Sequence, residues 1–596
     1  MSQHTVSAIH TGAASQRNIP ATTVWAHGDF AVHPLAFATP LIDGRAAMLA
    51  MCLAFLEAQT SIWIGGWSMY ARLQLVRGQD QRAGQDGAPD QYALLDHLRA
   101  AGLDSDAIAL WRANGLALVD VLGLAVRRGV DVRVLLWDPL DPWDLGHLGN
   151  DPVVQAAILA DQDIQYRLDK NCRSPLHIAQ GLHQKCSVVD NEVAFVGGID
   201  LTVDYGGDFD RWDVSDHPFE SELRATERGD SPHPWHDAHV MLTGAAVLDV
   251  ERNLSERWDA SAGRVQQRIQ PLRMQVRGIQ GAINSGDRPQ AYNLAAPEEA
   301  APANAESPAA PGADNADAGR IQIIRTIPAL TYRFAPGGIY GIAEAYQQAV
   351  NQAERFIYLE SQYLWPEVYR GIDTLLWGGR SAELEAFLDA LGDALQRGVA
   401  VGIILPDHPN CGRRFTDDGI ERLRARAADA DAAGRLLTLT LGADALNEEA
   451  PGGMFYRPVY VHAKVGIVDD QWLTVGSANL NSRGFGGDAE MNISLADPRV
   501  AAEMRVALWM EHLQAALQEG EALRDVAAGF SALREQAEAN FARVNARQAM
   551  QGHALPYITI AEGERRGVSV DPDHGWLDCM EGGSGATPEV YQGRYL

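Results

Sequence analysis

The strongest constraint on this chain is a segment that occurs twice. His183-Gln184-Lys185-Cys186-Ser187-Val188-Val189-Asp190 and His462-Ala463-Lys464-Val465-Gly466-Ile467-Val468-Asp469 both read H-x-K-x4-D. Each continues through an apolar, β-branched stretch into a small-residue turn, Phe195-Val196-Gly197-Gly198-Ile199-Asp200 in the first copy and Thr474-Val475-Gly476-Ser477-Ala478-Asn479 in the second. Lysine is otherwise almost absent: Lys170, Lys185 and Lys464 stand among 49 basic residues. With 17 histidines in 596 residues, chance would supply about 0.09 H-x-K pairs. A chain that nearly always uses Arg has kept Lys where a compact ammonium sits beside an imidazole, and the bulkier, planar Arg fork would not replace it.

The surroundings of the two motifs repeat as well. Gly44 to Ala58 has helical spacing and feeds a β-prone run, Ser61 to Ser68; Leu116 to Arg128 reads as a helix stopped by Gly129, and Val130 to Trp137 as a buried strand. In the second half, helix Gly338 to Ala353, strand Phe356 to Gln362, helix Ala382 to Arg397, stop Gly398 and strand Val399 to Leu405 follow in the same order. Helices Ala246 to Trp258 and Pro498 to Leu513 come after the respective motifs. Alternating helices and strands predict an α/β class with an internal duplication. The expected organisation is a flexible N-terminus over 1–24, a first lobe over 25–282, a disordered linker or surface loop over 283–319 poor in large apolar residues, a second lobe over 320–527, and a charged helix with a Gly/Asp/Glu-rich tail over 528–596.

Composition narrows function. A net charge of −29 opposes neutralising a nucleic-acid backbone. The first residues lack a basic start followed by an apolar core, and no uncharged apolar run is long enough to span a bilayer, so a cytoplasmic location is expected. Cys52, Cys172, Cys186, Cys411 and Cys579 are odd in number and scattered, which predicts reduced thiols and no zinc site.

The single-residue gap in H-x-K places His and Lys on one face of a strand. If the halves pack with pseudo-twofold symmetry, two imidazoles and two ammonium groups meet. The ammonium charges suit the non-bridging oxygens of a phosphodiester, one neutral imidazole can attack phosphorus, and the other, protonated, can protonate the leaving oxygen. Such chemistry requires no metal or other cofactor. Each His needs a carboxylate to fix its tautomer, and candidates stand at nearly equal offsets: Asp213, 30 residues after His183, and Glu490, 28 residues after His462. Asp190 and Asp469 lie an odd number of residues after their lysines and are expected to brace turns. His236 is expected to bond within the fold, Trp67 and Tyr363 end equivalent strands, and Arg413-Arg414 reads as a solvated face.

The paired motifs, with Gly197-Gly198-x-Asp200 and Gly476-Ser477-x-Asn479, resemble the phospholipase D superfamily. Gly198-Ile199-Asp200-Leu201, Asp210-Arg211-Trp212-Asp213, Pro234-Trp235-His236-Asp237, Arg257-Trp258 and Ile357-Tyr358-Leu359-Glu360-Ser361-Gln362-Tyr363 resemble its eukaryotic-type phosphatidylcholine-hydrolysing branch as found in bacteria. Departures are Asp200 and Ser361, where many members carry Asn. The resemblance implies two pseudo-symmetric α/β/α sandwich lobes with the active site at their interface. It implies His183 as nucleophile, His462 as general acid, Lys185, Lys464, Asn479 and Ser477 on the phosphate, Asp213 and Glu490 as orienters, and Gly197, Gly198 and Gly476 as structural. The implied reaction is hydrolysis of glycerophospholipids at a membrane surface to phosphatidic acid, with transfer to alcohols. Alternatives are a phosphatidyltransferase of cardiolipin-synthase type, a nuclease of the same superfamily, and a silent scaffold. By analogy, such an enzyme also suits an antibacterial effector exported by a contact-dependent machine with an immunity or secretion partner.

Overall fold

The computed structural model describes residues 24–27, 29–34, 37–138, 151–172, 180–203, 209–224, 232–261, 319–367, 381–408, 412–447, 451–571 and 575–577. The expected flexible N-terminus (but for residue 24), the expected linker (but for residue 319) and the end of the tail lie outside these residues.

Two sheets carry the duplication. In the first lobe the strand order across the sheet is Phe37–Ile42, Ala238–Thr243, Val193–Gly197, Cys186–Val189, Ser61–Gly66, Asp131–Trp137, Gln165–Asp169. The second lobe repeats it with Arg320–Ile327, Glu490–Ala496, Trp472–Gly476, Val465–Val468, Phe356–Glu360, Ala400–Ile404 and Leu436–Leu446. Even the register is kept: Ile62 pairs with Val189 and Ile357 with Val468, so each motif strand meets its neighbour four residues beyond its lysine. A one-residue slip would turn both His–Lys faces away from the cleft. The helices expected from periodicity form at Asp43–Glu57, Leu118–Arg127, Gly341–Gln352, Ala382–Arg397, Val247–Ala260 and Pro498–Leu513. Gly129 and Gly398 stop two equivalent helices with φ of 90° and 100°, a conformation that favours glycine. The strands Ser61–Gly66 and Phe356–Glu360 each end two residues sooner than read from sequence, because the chain leaves the sheet there to line the site.

The lobes are interleaved. His33–Pro34 pairs with Arg320–Ile327 at one end of the second sheet, and Trp235–His236 pairs parallel to Met454–Val461 at the other. One apolar cluster runs from Val188, Val196 and Val240 to Val465, Val475 and Ile493, all buried. At roughly 1.5–3 kcal/mol for each such side chain, this shared core holds the lobes as one body. The described residues after 527 belong to that body. Helix Val526–Asn545 packs on the second lobe, Ala554–Pro556 adds to Leu436–Leu446, and Trp576 and Leu577 join Met454 and Tyr456 in a buried cluster. Arg413 departs from the expected solvated face: it is buried, ion-paired with Asp407 and stacked over Tyr557. Among the described residues no helix is long and apolar enough to cross a membrane, and Cys52, Cys172 and Cys186 are buried free thiols.

Candidate active site

Each motif histidine is placed by a strand contact with the opposite lobe. Leu182 bridges Ala489 in parallel, and the N–H of His183 donates to the Ala489 carbonyl at 2.9 Å. Val461 pairs with His236, and the N–H of His462 donates to the His236 carbonyl at 2.8 Å. These equivalent contacts set the next residue, an acid in both cases, beside the imidazole. Nδ1 of His183 lies 2.9 and 3.1 Å from the two carboxylate oxygens of Glu490. Nδ1 of His462 donates to Oδ2 of Asp237 at 2.6 Å. Holding Nδ1 leaves Nε2 as the nitrogen able to react.

The lysines follow the same symmetry. Nζ of Lys185 donates to the His183 carbonyl at 2.6 Å and lies 3.2 Å from Oδ2 of Asp200. Nζ of Lys464 donates to the His462 carbonyl and reaches Oε1 of Gln362 at 3.4 Å. Gln362 also accepts from Nδ2 of Asn479 at 3.2 Å and donates to the Tyr460 hydroxyl at 2.7 Å. By strand register Trp67 is the first-lobe counterpart of Gln362, and its ring lies 5.8 Å below the Lys185 ammonium and edge-on to His183. The Trp235 ring centroid lies 4.7 Å from that of His462, and the Arg211 guanidinium lies over the Trp235 ring, 4.5 Å from its centroid.

Electrostatics bind the two halves into one site. Burial, then the charges of Lys185 and Lys464, hold His183 well below 6.5; burial, then Lys464 and Lys185, do the same to His462. Each imidazole therefore feels the lysine of the other lobe. Burial pushes Lys464 down to about 7 against the pull of Asp237. Burial and the Asp488 carboxylate push Glu490 up, opposed by Lys185 and the Ser477 hydroxyl. Within the His183–Glu490 pair, burial first and the surrounding cations second favour the neutral imidazole.

Several residues differ from their expected places. Asp213 orients neither motif histidine: its carboxylate accepts from Arg224, from the N–H of Trp235 at 2.9 Å and from His217. Asp237 stands where Asp213 was expected, and Glu490 serves the histidine of the other lobe. An equal offset from the motif misled because the first lobe inserts the segment carrying Asp210 to Asp213 before its last sheet strand. Counting from the strands, Asp237 precedes Ala238–Thr243 as Glu490 opens Glu490–Ala496. The hydroxyl of Ser477, expected on the phosphate, donates to Glu490, the acid beside His183, at 2.5 Å. Asp190 accepts from the N–H groups of Gln59, Thr60 and Ser61, and Asp469 from those of Glu354, Arg355 and Phe356, so both clamp the start of the neighbouring strand. Gly198 is required by the site: a Cβ there would stand 2.0 Å from Oδ1 of Asp237. At Gly197 and Gly476 it would strike His239 and Asn492. Gln362 and Asp237, both inside quoted motifs, contact the motif residues and are the positions at the site that offset counting missed.

The family model for phospholipase D matches residues 107–370 and 455–571, well over half of the chain. The chain belongs to the phospholipase D family. A second model, described as cardiolipin synthase, PLD-like domain, matches residues 348–511. Phospholipase D alpha 1 of Oryza sativa is 25% identical over 591 residues, covering 80% of this chain and 65% of the relative. Phospholipase D alpha 4 of Arabidopsis thaliana is 23% identical over 539 residues, covering 76% and 62%. The chain thus spans slightly under two thirds of these relatives' length. Among solved structures, phosphatidylserine synthase of Haemophilus influenzae aligns at 12% identity over 79% of this chain and 84% of that one, with a TM-score of 0.42.

Proposed function

We propose that this phospholipase D family member hydrolyses the head-group phosphodiester of glycerophospholipids at a membrane surface through a phospho-histidine intermediate. The observation that carries the reading is the pair of imidazoles, each fixed through Nδ1 by a carboxylate of the opposite lobe and flanked by both lysines. Nε2 of neutral His183 attacks phosphorus, forming an N–P bond as the bond to the head-group oxygen breaks. Protonated His462 gives its Nε2 proton to that oxygen, and the free head-group alcohol leaves. Water then attacks the phospho-histidine while His462 takes its proton; the N–P bond breaks and phosphatidic acid departs with His183 neutral. Lys185 and Lys464, with Asn479 beside Gln362, offset charge on the non-bridging oxygens.

The cardiolipin-synthase-type match over the second lobe supports a second reading, phosphatidyl transfer to an alcohol, which uses the same intermediate. One experiment separates the two. Mixed-lipid vesicles are incubated with enzyme, ethanol and excess chelator, and products are followed by mass spectrometry, with His183→Ala as control. Phosphatidic acid and phosphatidylethanol that vanish in the variant support hydrolysis with transfer. Transfer to a lipid alcohol without phosphatidic acid supports the transferase. Turnover of a nucleic acid or small diester alone overturns the lipid substrate.

A further inference from the structure

Behind Asp237 lies a second cluster of buried donors that the proposed reaction does not use. We infer that Asp43, His217, His236 and Glu511 form a structural site for one divalent transition-metal ion, Zn²⁺ by donor preference. Their ligand atoms all fall within 4.8 Å of one another, and all four residues are buried. Nδ1 of His236 stands 2.6 Å from Oε1 of Glu511 and 3.2 Å from Oδ1 of Asp43. Nε2 of His217 stands 3.0 Å from Oε1 of Glu511 and 3.7 Å from Oδ2 of Asp43. A tetrahedral ion with bonds of about 2.0–2.2 Å needs donors about 3.3 Å apart, which these separations bracket. Two imidazole nitrogens with two carboxylates suit zinc better than the all-oxygen sets of calcium or magnesium. The scattered cysteines argue against a thiolate site, but these donors are nitrogen and oxygen.

Three further observations point to an ion in place of a closed hydrogen-bond network. First, Oδ2 of Asp43, Oε2 of Glu511 and Nδ1 of His236 are buried without a hydrogen-bond partner; the 2.6 Å approach of Nδ1 to Glu511 lacks hydrogen-bond geometry. Unmatched buried carboxylate oxygens are costly, and a cation matches them. Second, both imidazoles are backed by a carboxylate on the ring nitrogen facing away: Asp213 lies 3.3 Å from Nδ1 of His217 and Glu360 lies 2.9 Å from Nε2 of His236. That is the outer-shell arrangement that orients metal-bound histidines. Third, Asp43 opens its helix at φ 63°, a strained conformation for a residue other than glycine, and it delivers the carboxylate to the cluster.

The site is joined to the catalytic centre. Oδ1 of Asp43 accepts from the N–H of Asp237 at 3.2 Å, and the N–H of Asp43 donates to the Asp237 carbonyl at 2.9 Å. His236 adjoins Asp237 in sequence, and Glu511 comes from the second lobe, so a bound ion would staple the lobes behind the His462 orienter. Burial would also protect the ion from a chelator in a short assay. The inference does not rest on the lipid substrate, because metal content is read without turnover.

The test is metal analysis of the full chain after exhaustive dialysis against chelator, by inductively coupled plasma mass spectrometry, with anomalous diffraction at the metal edge. The expected result is about one metal ion per chain, with an anomalous peak among the four donors. His217→Gln and Glu511→Gln should lose it, and the milder Asp213→Asn should stay folded while weakening retention about 10–100-fold. A folded wild-type chain that carries no metal, and takes up none of zinc, manganese or iron on refolding, overturns the inference. So does an ion whose anomalous peak lies elsewhere, or one that all three variants retain undiminished.

Discussion

Asp237 of the first lobe accepts the Nδ1 proton of His462 of the second at 2.6 Å, and both are buried. With an amide in place of the carboxylate, the imidazole can take the wrong tautomer and gains no support for its cationic form. Asp237→Asn is therefore expected to lower kcat on the order of 10³-fold with little change in KM. Asp213→Asn, which touches neither motif histidine, should cost far less turnover while lowering Tm. Steady-state kinetics and thermal unfolding of the two variants check this, and equal losses of kcat would remove the distinction.

His183 and His462 act in one covalent sequence, so their losses should not add. His183→Ala and His462→Ala are each expected to reduce turnover by several orders of magnitude, and the double variant should be hardly slower than either. Single-turnover measurements on vesicles give the three rates. Losses that multiplied would mean the imidazoles act independently.

Much of this site is legible in the sequence. The repeat, the strand and helix order, and the His–Lys faces follow from periodicity and a two-residue spacing, which are local properties. The orienting acids do not follow, because each comes from the opposite lobe and is placed by pairings, Leu182 with Ala489 and Val461 with His236, that no single-chain pattern encodes. Gln362 was visible within its motif, but its bonds to Lys464, Asn479 and Tyr460 arise only when the second sheet closes. Arg413 read as solvated because its partners, Asp407 and the Ile558 carbonyl, include one from a region after the second lobe's expected end.

Asp190 and Asp469 each gather three backbone N–H groups at the start of the neighbouring strand, at left-handed φ of 54° and 56°. Their role is to hold register, so Asp469→Ala should strand buried donors and destabilise by about 1–3 kcal/mol. Activity per folded molecule should hardly change below the lowered Tm. Denaturant unfolding alongside kcat separates the two effects.

Burial holds His239 down to about 4 and His233 down to about 3. The folded state then binds fewer protons than the unfolded chain between those values and the ordinary 6.5, so these groups make stability rise with pH through that window. Their contribution is fully present above 6.5 and is lost as pH falls toward 4 and 3, on the order of 3 kcal/mol for His239 and 5 kcal/mol for His233. Unfolding free energy measured against pH should decline on this acid side, and His239→Gln should flatten part of the decline.

Turnover should depend on pH through the same burial. His183 must be neutral to attack, and its depressed pKa keeps it neutral well below 6.5, so the acid limb of kcat/KM lies low. His462 must carry a proton, and its own depression makes that proton scarce in the free enzyme as pH rises. Lys464, held at about 7, loses its charge over the same rise, and with it the stabilisation of the phosphate oxygens. All three shifts move the bell the same way, so kcat/KM is expected to peak on the acid side of neutrality and fall through pH 7. A bound phosphodiester anion favours the protonated forms of His462 and Lys464, which should carry the basic limb of kcat to higher pH than that of kcat/KM. The limbs belong to the coupled set, so they are assigned by comparison: Lys464→Arg, which cannot deprotonate in this range, should remove the lysine's share of the basic limb. A profile flat from about pH 5 to 9 in both parameters would contradict paired imidazole catalysis.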